Sequence, residues 1–252
     1  MGIVCEEFSF SNTDLDTLHS HVKSLSNTSS VGVDDIPTII AKKFKAILLP
    51  PLLHIINLCL TCSQYPTLWK TGCISQIPKK GDLSQASNWR PIVLNCVVSK
   101  LLERVMNEQI MNYMRRNHYD PPSQHAYRPG KSCNSALAEL DTFIQKNRDR
   151  GWAVGLCLTN QSAAFNVLQK DILLGKLQLL GFTPSALKLI QDYLTGRKTK
   201  CTVNRHTSST VDLHSGVSVL GPSLQSAPLS RRTSTTSTTS QWTPSPASTP
   251  TT

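Results

Sequence analysis

The chain has 252 residues, enough for one or two domains with a sizeable core. Its 26 Lys and Arg against 16 Asp and Glu make it basic, a balance that suits polyanions such as nucleic acid and equally a solvated basic surface. Eight scattered cysteines in a chain this long exclude a disulfide-stapled miniprotein. With no signal peptide at the N-terminus they read as reduced thiols of an intracellular protein, cytoplasmic or nuclear.

Residues 1–30 form a lead-in. An alternating piece, Glu7 to Phe10, is followed by Leu15, Leu18, Val22 and Leu25 at helical spacing, with Asp14 placed to cap. From Val31 the text reads as a turn, a helix beginning at Pro37, a break at Pro50–Pro51 and a second helix. The longest apolar stretch, Ile47 to Leu60, is interrupted by those prolines and holds His54 and Asn57, so it is not expected to span a bilayer. Cys59 and Cys62 make a CxxC with no second pair at a zinc-site distance, and they read as core packing.

Cys73 to Pro78 is a short strand, Lys79 to Asp82 a basic turn, and the stretch up to Asn88 a loop. Leu102, Val105, Met106, Ile110 and Tyr113 trace one face of a helix, with Ser99 as its cap and Glu103 and Arg104 on the other side. Ser132 is positioned to cap a further helix through Ala136, Leu137, Leu140, Phe143 and Ile144.

Trp152 to Thr159 is a continuous apolar run of strand length, the pattern of a strand buried on both faces, and the text then bends into a helix. Pro184 to Leu194 is a helix with Leu187, Ile190 and Leu194 inward, stopped by Gly196, and Lys198 to Asn204 with Val211 and Leu213 suggests a hairpin. Beyond Pro222, Ser, Thr and Pro fill 21 of the last 30 positions, too few apolar groups to offset the entropy of ordering, so disorder is expected there.

Several of these blocks, in this order, resemble the reverse transcriptases of non-LTR (LINE-type) retrotransposons. IPKKGD followed by NWRPI and SKLLERV is similar to the family's basic finger segment, and QHAYRPGKS to its second finger motif. The run from Val154 to Leu174 is similar to its first catalytic motif, and GVSVLGP at 216–222 to a later one. The resemblance covers roughly residues 31 to 222. It implies an α+β fold, mostly helical: right-hand polymerase fingers at 31–150 and a partial palm at 151–222, with 1–30 leading in and 223–252 as the disordered tail.

The resemblance also implies roles. Arg128 matches the finger arginine that contacts the incoming triphosphate, and Phe165 the bulky ring that excludes a ribose 2′-hydroxyl. Lys79, Lys80 and Arg90 match basic finger positions near template or nucleotide. The family binds an RNA template and a DNA primer and uses two Mg²⁺ held by three Asp carboxylates. Here the first of those positions is Asn160, the acid after Phe165 is replaced by Asn166, and no Asp or Glu follows Asp212. Asp34–Asp35, the one adjacent Asp pair, reads as a solvated turn before a helix. Three residues, Pro-Gln-Gly in the family, are missing between Val217 and Ser218. Magnesium prefers charged, hard oxygens, so the expectation is a catalytically dead reverse transcriptase fragment with no metal of its own and no membrane partner. The alternatives are a non-catalytic remnant that binds nucleic acid weakly and nonspecifically through its basic fingers, or a pseudogene product that does not fold.

Overall fold

The computed structural model describes residues 6–28, 31–85, 88–119, 121–126, 128–159, 169–203 and 206–213. Within them the chain is mixed helix and sheet, with seven α-helices and a five-stranded sheet, which bears out the α+β expectation. The motif at 216–222 and the tail at 223–252 lie outside the described residues, as do Asn160 and Phe165.

The core is built around α4 (Val97–Arg116), whose Leu101, Leu102, Val105, Met106, Ile110, Tyr113 and Met114 are all but inaccessible. α1 (Leu15–Lys23) packs on it and on α3 (Lys45–Cys62), burying Leu18 and Val22. Asp14 caps α1 as its position predicts, accepting from Thr17 N at 2.7 Å. Phe8 joins the far end. It exchanges backbone hydrogen bonds with Gly181 and Thr183, and its ring sits 4.5 Å from Phe182 and 5.1 Å from Tyr113. That contact ties the lead-in to α6 (Lys170–Leu179) and α7 (Pro184–Leu194), which pack on each other.

Three local expectations are corrected. The helix that starts after Pro37, α2 (Thr38–Lys43), breaks at Phe44, and α3 then runs unbroken through Pro50 and Pro51. A proline inside a helix leaves the carbonyl four residues earlier without its donor; here those belong to Ala46 and Ile47, both exposed to water. Burial of Leu49, Ile56, Cys59 and Leu60 on the opposite side offsets the rest. By length and composition α3 is therefore long and apolar enough to cross a membrane, although that buried face is spent on the core. Ser99 is not a cap. α4 begins two residues earlier, and Ser99 is fully buried with its hydroxyl bonded to Tyr65 and Glu103. Glu103, expected on the solvent side, is fully buried too.

The largest departure is at Trp152–Thr159. These residues form no strand, and Trp152, Leu156 and Leu158 are 47, 55 and 83 % exposed. A strand buried on both faces needs hydrogen-bonded neighbours and covering layers, and among the described residues no strand pairs with this segment. α5 (Cys133–Arg148) is capped by Ser132 as expected, with a reciprocal Ser132–Ser135 capping box, yet the only residue it buries is Asn147. Leu137 and Phe143 stay exposed.

The sheet runs β2–β1–β3–β4, with β5 also paired to β3. β1 (Thr71–Pro78) and β2 (Trp89–Leu94) are an antiparallel hairpin. β3 (Lys198–Val203) joins β1 in parallel, with Thr71 opposite Lys198 and Cys73 opposite Lys200. β4 (His206–Thr207) and β5 (Val211–Asp212) fold back on β3, the hairpin expected there.

Candidate nucleic-acid interface

Lys79 and Lys80 follow β1 directly and are exposed. Lys79 N donates to Asn88 O at 2.7 Å, closing the hairpin loop. Gly81 turns the chain at φ 122°, a conformation that L side chains rarely adopt. Asp82 then fixes the loop, its carboxylate accepting from Ser84 N (2.9 Å) and Ser84 Oγ (2.6 Å), bonds that hold its pKa below the usual value. Asn88 Nδ2 donates to Asp82 O at 2.7 Å and Trp89 Nε1 to Leu83 O at 2.9 Å. The two lysines thus sit on an organised turn.

Arg90 lies opposite Ile77 in the hairpin register. Residues opposite one another, and those two apart on a strand, share a face. Ile77, Cys73 and Thr71 are two or four apart, so Arg90, Lys200 and Lys198 lie on one face of the sheet. Lys198 is ion-paired to Asp212 at 3.6 Å. Two strand spacings and four residues of rise separate Lys200 from Arg90, ~16 Å in all. Lys198 and Lys200 were not among the expected site residues. Their spacing of two in a strand-like run puts them on one face of β3, but only the non-local parallel pairing with β1 sets that face beside Arg90.

Arg128 belongs to a different segment, the loop leading into α5. It is half-buried, and its Nη1 donates to Pro121 O at 2.9 Å. His125 ties that loop to α5, its Nδ1 lying 2.8 Å from Ser135 Oγ and its Nε2 2.7 Å from Glu139 Oε2. The structure therefore brings Lys79, Lys80 and Arg90 together on one hairpin and adds Lys198 and Lys200 beside them. Arg128 stands on its own loop.

Behind the sheet a buried polar cluster fixes where its two parallel strands start. Lys70, just before β1, donates to Asp192 Oδ1 at 2.5 Å, and Asp192 Oδ2 accepts from Tyr65 N at 2.6 Å. Arg197, just before β3, is 5 % exposed and donates from Nη1 to Tyr193 O at 3.0 Å. Glu103 Oε1 accepts from Ser99 Oγ (3.2 Å) and Asn95 Nδ2 (3.1 Å). Burial pushes the Glu103 carboxyl above the usual range, against the pull of Arg197 and of its hydrogen bonds, and burial raises the Tyr193 and Tyr65 hydroxyls.

The Asp34–Asp35 pair is the turn it was expected to be, with Asp34 Oδ1 accepting from Ile36 N at 3.3 Å. Of the two cysteines expected in the core, Cys59 packs there, and burial pushes its thiol up to about 11, so it stays protonated at neutral pH; Cys62, at the last turn of α3, is exposed instead. Among the described residues no group of three or more His, Cys, Asp or Glu could hold a metal ion.

No family model matches the chain. Among curated proteins it is 28% identical over 211 residues to a probable RNA-directed DNA polymerase from transposon BS of Drosophila melanogaster, covering 81% of this chain and 23% of that protein. It is 28% identical over 145 residues to the retrovirus-related Pol polyprotein from type-1 retrotransposable element R2 of Popillia japonica, 57% of this chain and 19% of that one. A probable RNA-directed DNA polymerase from transposon X-element of Drosophila melanogaster is 26% identical over 196 residues, 68% of this chain and 19% of its own length. The chain spans about a fifth of the length of these relatives.

Proposed function

From the similarity of this chain, over much of its length, to the RNA-directed DNA polymerases of non-LTR retrotransposons, we propose that it is a reverse transcriptase fragment that grips nucleic acid and does not copy it. Its fingers-like part is residues 31–150, its partial palm 151–222. The observation that supports a grip is the shared sheet: Lys79 and Lys80 on the hairpin turn, with Arg90 and Lys200 on one face. A span of ~16 Å covers about five phosphates at 3.4 Å per strand. These cations contact phosphates and carry no base information, so binding is sequence-indifferent, at ~10⁻⁴ to 10⁻⁶ M near physiological salt. Arg128 adds a planar donor fork for a phosphate from its own loop, and Phe165 keeps the place of the family's sugar-excluding ring. An intracellular site of action, with RNA or primed duplex as partner, follows from this reading.

The lack of copying rests on Asn160 and on the missing residues between Val217 and Ser218. A neutral amide oxygen at a position built for divalent ions loses the electrostatic stabilisation that nucleotidyl transfer requires. The test of the grip is a salt titration of binding to a single-stranded RNA. Replacing Lys79, Lys80, Arg90 and Lys200 together by Ala should flatten the log–log slope by about 3, near 0.7 per phosphate contact. An unchanged slope would show that the contacts lie elsewhere.

A further inference from the structure

The fold divides the CxxC of α3. Cys59 is buried and Cys62 is exposed, yet both line one pocket of about 690 Å³ between α3 and α7. The two residues thus border a single space that opens to solvent at Cys62. Residues three apart on a helix share a face, with Cα atoms about 5 Å apart, inside the ~4.4–6.8 Å that a disulfide spans. Their Cβ atoms, about 5–6 Å apart, must close by roughly an ångström. A helix end is where that closure is easiest. Cys62 is the last residue of α3, and its cap, Ser63, already leaves the helix in the left-handed region at φ 53°. Tightening the turn from α to 3₁₀ would eclipse positions i and i+3. As it stands the turn is held by Ser63 N and Gln64 N, both donating to Cys59 O. By contrast Cys73 and Cys201, on neighbouring strands, are one register step apart and so point to opposite faces of the sheet.

We propose that Cys59 and Cys62 form a reversible disulfide, with a low-molecular-weight disulfide of the glutathione class as oxidant, and that closing it loosens the join between α3 and β1. The Cys62 thiolate attacks one sulfur of the oxidant, expels one glutathione thiolate and leaves a mixed disulfide. Cys59 then gives up its proton and attacks the Cys62 sulfur, expelling the second glutathione thiolate. Two protein thiols are oxidised, the glutathione disulfide is reduced to two glutathiones, and the protons pass to these through solvent. Burial holds the Cys59 thiol up at about 11, so the second step is slow and quickens about tenfold per pH unit near neutrality. Strained disulfides of this kind are the labile, regulatory ones. The join it acts on is short: Tyr65 N donates to Asp192 Oδ2, and the same carboxylate holds Lys70, the residue before β1.

The probe is the full chain in mixtures of reduced and oxidised glutathione, quenched with acid, alkylated with N-ethylmaleimide and digested with trypsin. Cleavage after Lys45 and Lys70 leaves both cysteines, and no third, on one peptide, 46–70. That peptide should appear unalkylated and two hydrogens lighter, in a fraction that rises with the share of oxidised glutathione. Its rate of formation should rise about tenfold from pH 7 to pH 8. Cys62→Ser, a change at an exposed position, should abolish it. Hydrogen exchange at 63–66 should quicken about tenfold in the oxidised chain, and not in Cys62→Ser under the same mixture, as Tyr65 N loses its hold on Asp192. A doubly alkylated peptide in every mixture, a glutathione adduct on Cys62 that never resolves, or a bridge to another peptide would overturn the disulfide. Exchange at 63–66 indifferent to oxidation would overturn its effect on the join.

Discussion

Arg197 lies over the face of Tyr193, its guanidinium carbon 4.6 Å from the ring centroid, while its Nη1 donates to the carbonyl of the same residue. A second ring, Tyr65, stands 5.6 Å away. The cation is thus held between aromatic faces in the core, where its charge favours the ionised form of the buried Glu103 carboxyl. This cluster fixes the start of β3 and so the place of Lys200.

Replacing Arg197 by Ala should cost about 1–3 kcal/mol, because it removes the bond to Tyr193 O and the cation between the Tyr193 and Tyr65 rings. Glu103→Gln should cost less, since an amide still accepts from Ser99 and Asn95. Urea titrations would rank the two. The pH dependence follows from sign. The folded Glu103 carboxyl binds its proton more readily than the unfolded one, so its contribution is complete below the ordinary carboxylate range and is lost as pH rises through the folded value. Glu103→Gln should flatten that decline; a profile unchanged by the substitution would count against it.

Ser99→Ala should destabilise by about 1–3 kcal/mol, the cost of leaving the buried Tyr65 hydroxyl and a Glu103 oxygen short of a partner. Far-UV circular dichroism should show α4 intact, because Ser99 caps nothing. Loss of helix at its N-terminus would point back to a capping role.

Gly32 approaches α4 closely. A Cβ there would lie 2.6 Å from Cys96 N and 2.8 Å from the Asn95 carbonyl carbon, both backbone. Backbone cannot swing aside as a side chain can, so Gly32→Ala should cost about 1–3 kcal/mol, read as a lower melting temperature. A variant as stable as the parent would mean that the 31–36 turn sits further from α4.

Primer extension on RNA or DNA templates should be absent for the chain, with magnesium or manganese, and absent again for Asn160→Asp. One carboxylate does not rebuild a two-ion site, and losses within one constellation do not add as separate energies. Templated extension by the unmodified chain would refute this.

The helices with clear apolar periodicity were legible, as α7 shows: Thr183 caps it, Pro184 opens it, and Ile190 and Leu194 point inward as spacing required. Periodicity misled where a helix or strand had no neighbour to meet. α5 and Trp152–Thr159 carry core-like patterns, and the described residues supply nothing to cover them. Polar residues in the core were the other failure. Ser99 and Glu103 looked like a cap and a solvent residue because burial of a carboxyl depends on Tyr65, Tyr193 and Arg197, which are remote in sequence. The hairpin cations were readable from KKGD and NWRP; Lys200 joined them through a parallel pairing that local pattern does not announce.

That parallel pairing has a consequence for biosynthesis. β1 and β2 leave the ribosome together, but β3 follows β1 by about 120 residues, roughly 6–24 s at ordinary synthesis rates. Until then one edge of β1 presents unpaired backbone beside exposed Ile77, a template for pairing with another nascent chain. Messages truncated before codon 198 should therefore yield aggregates in which β1 is protected, while chains that extend past β5 should not.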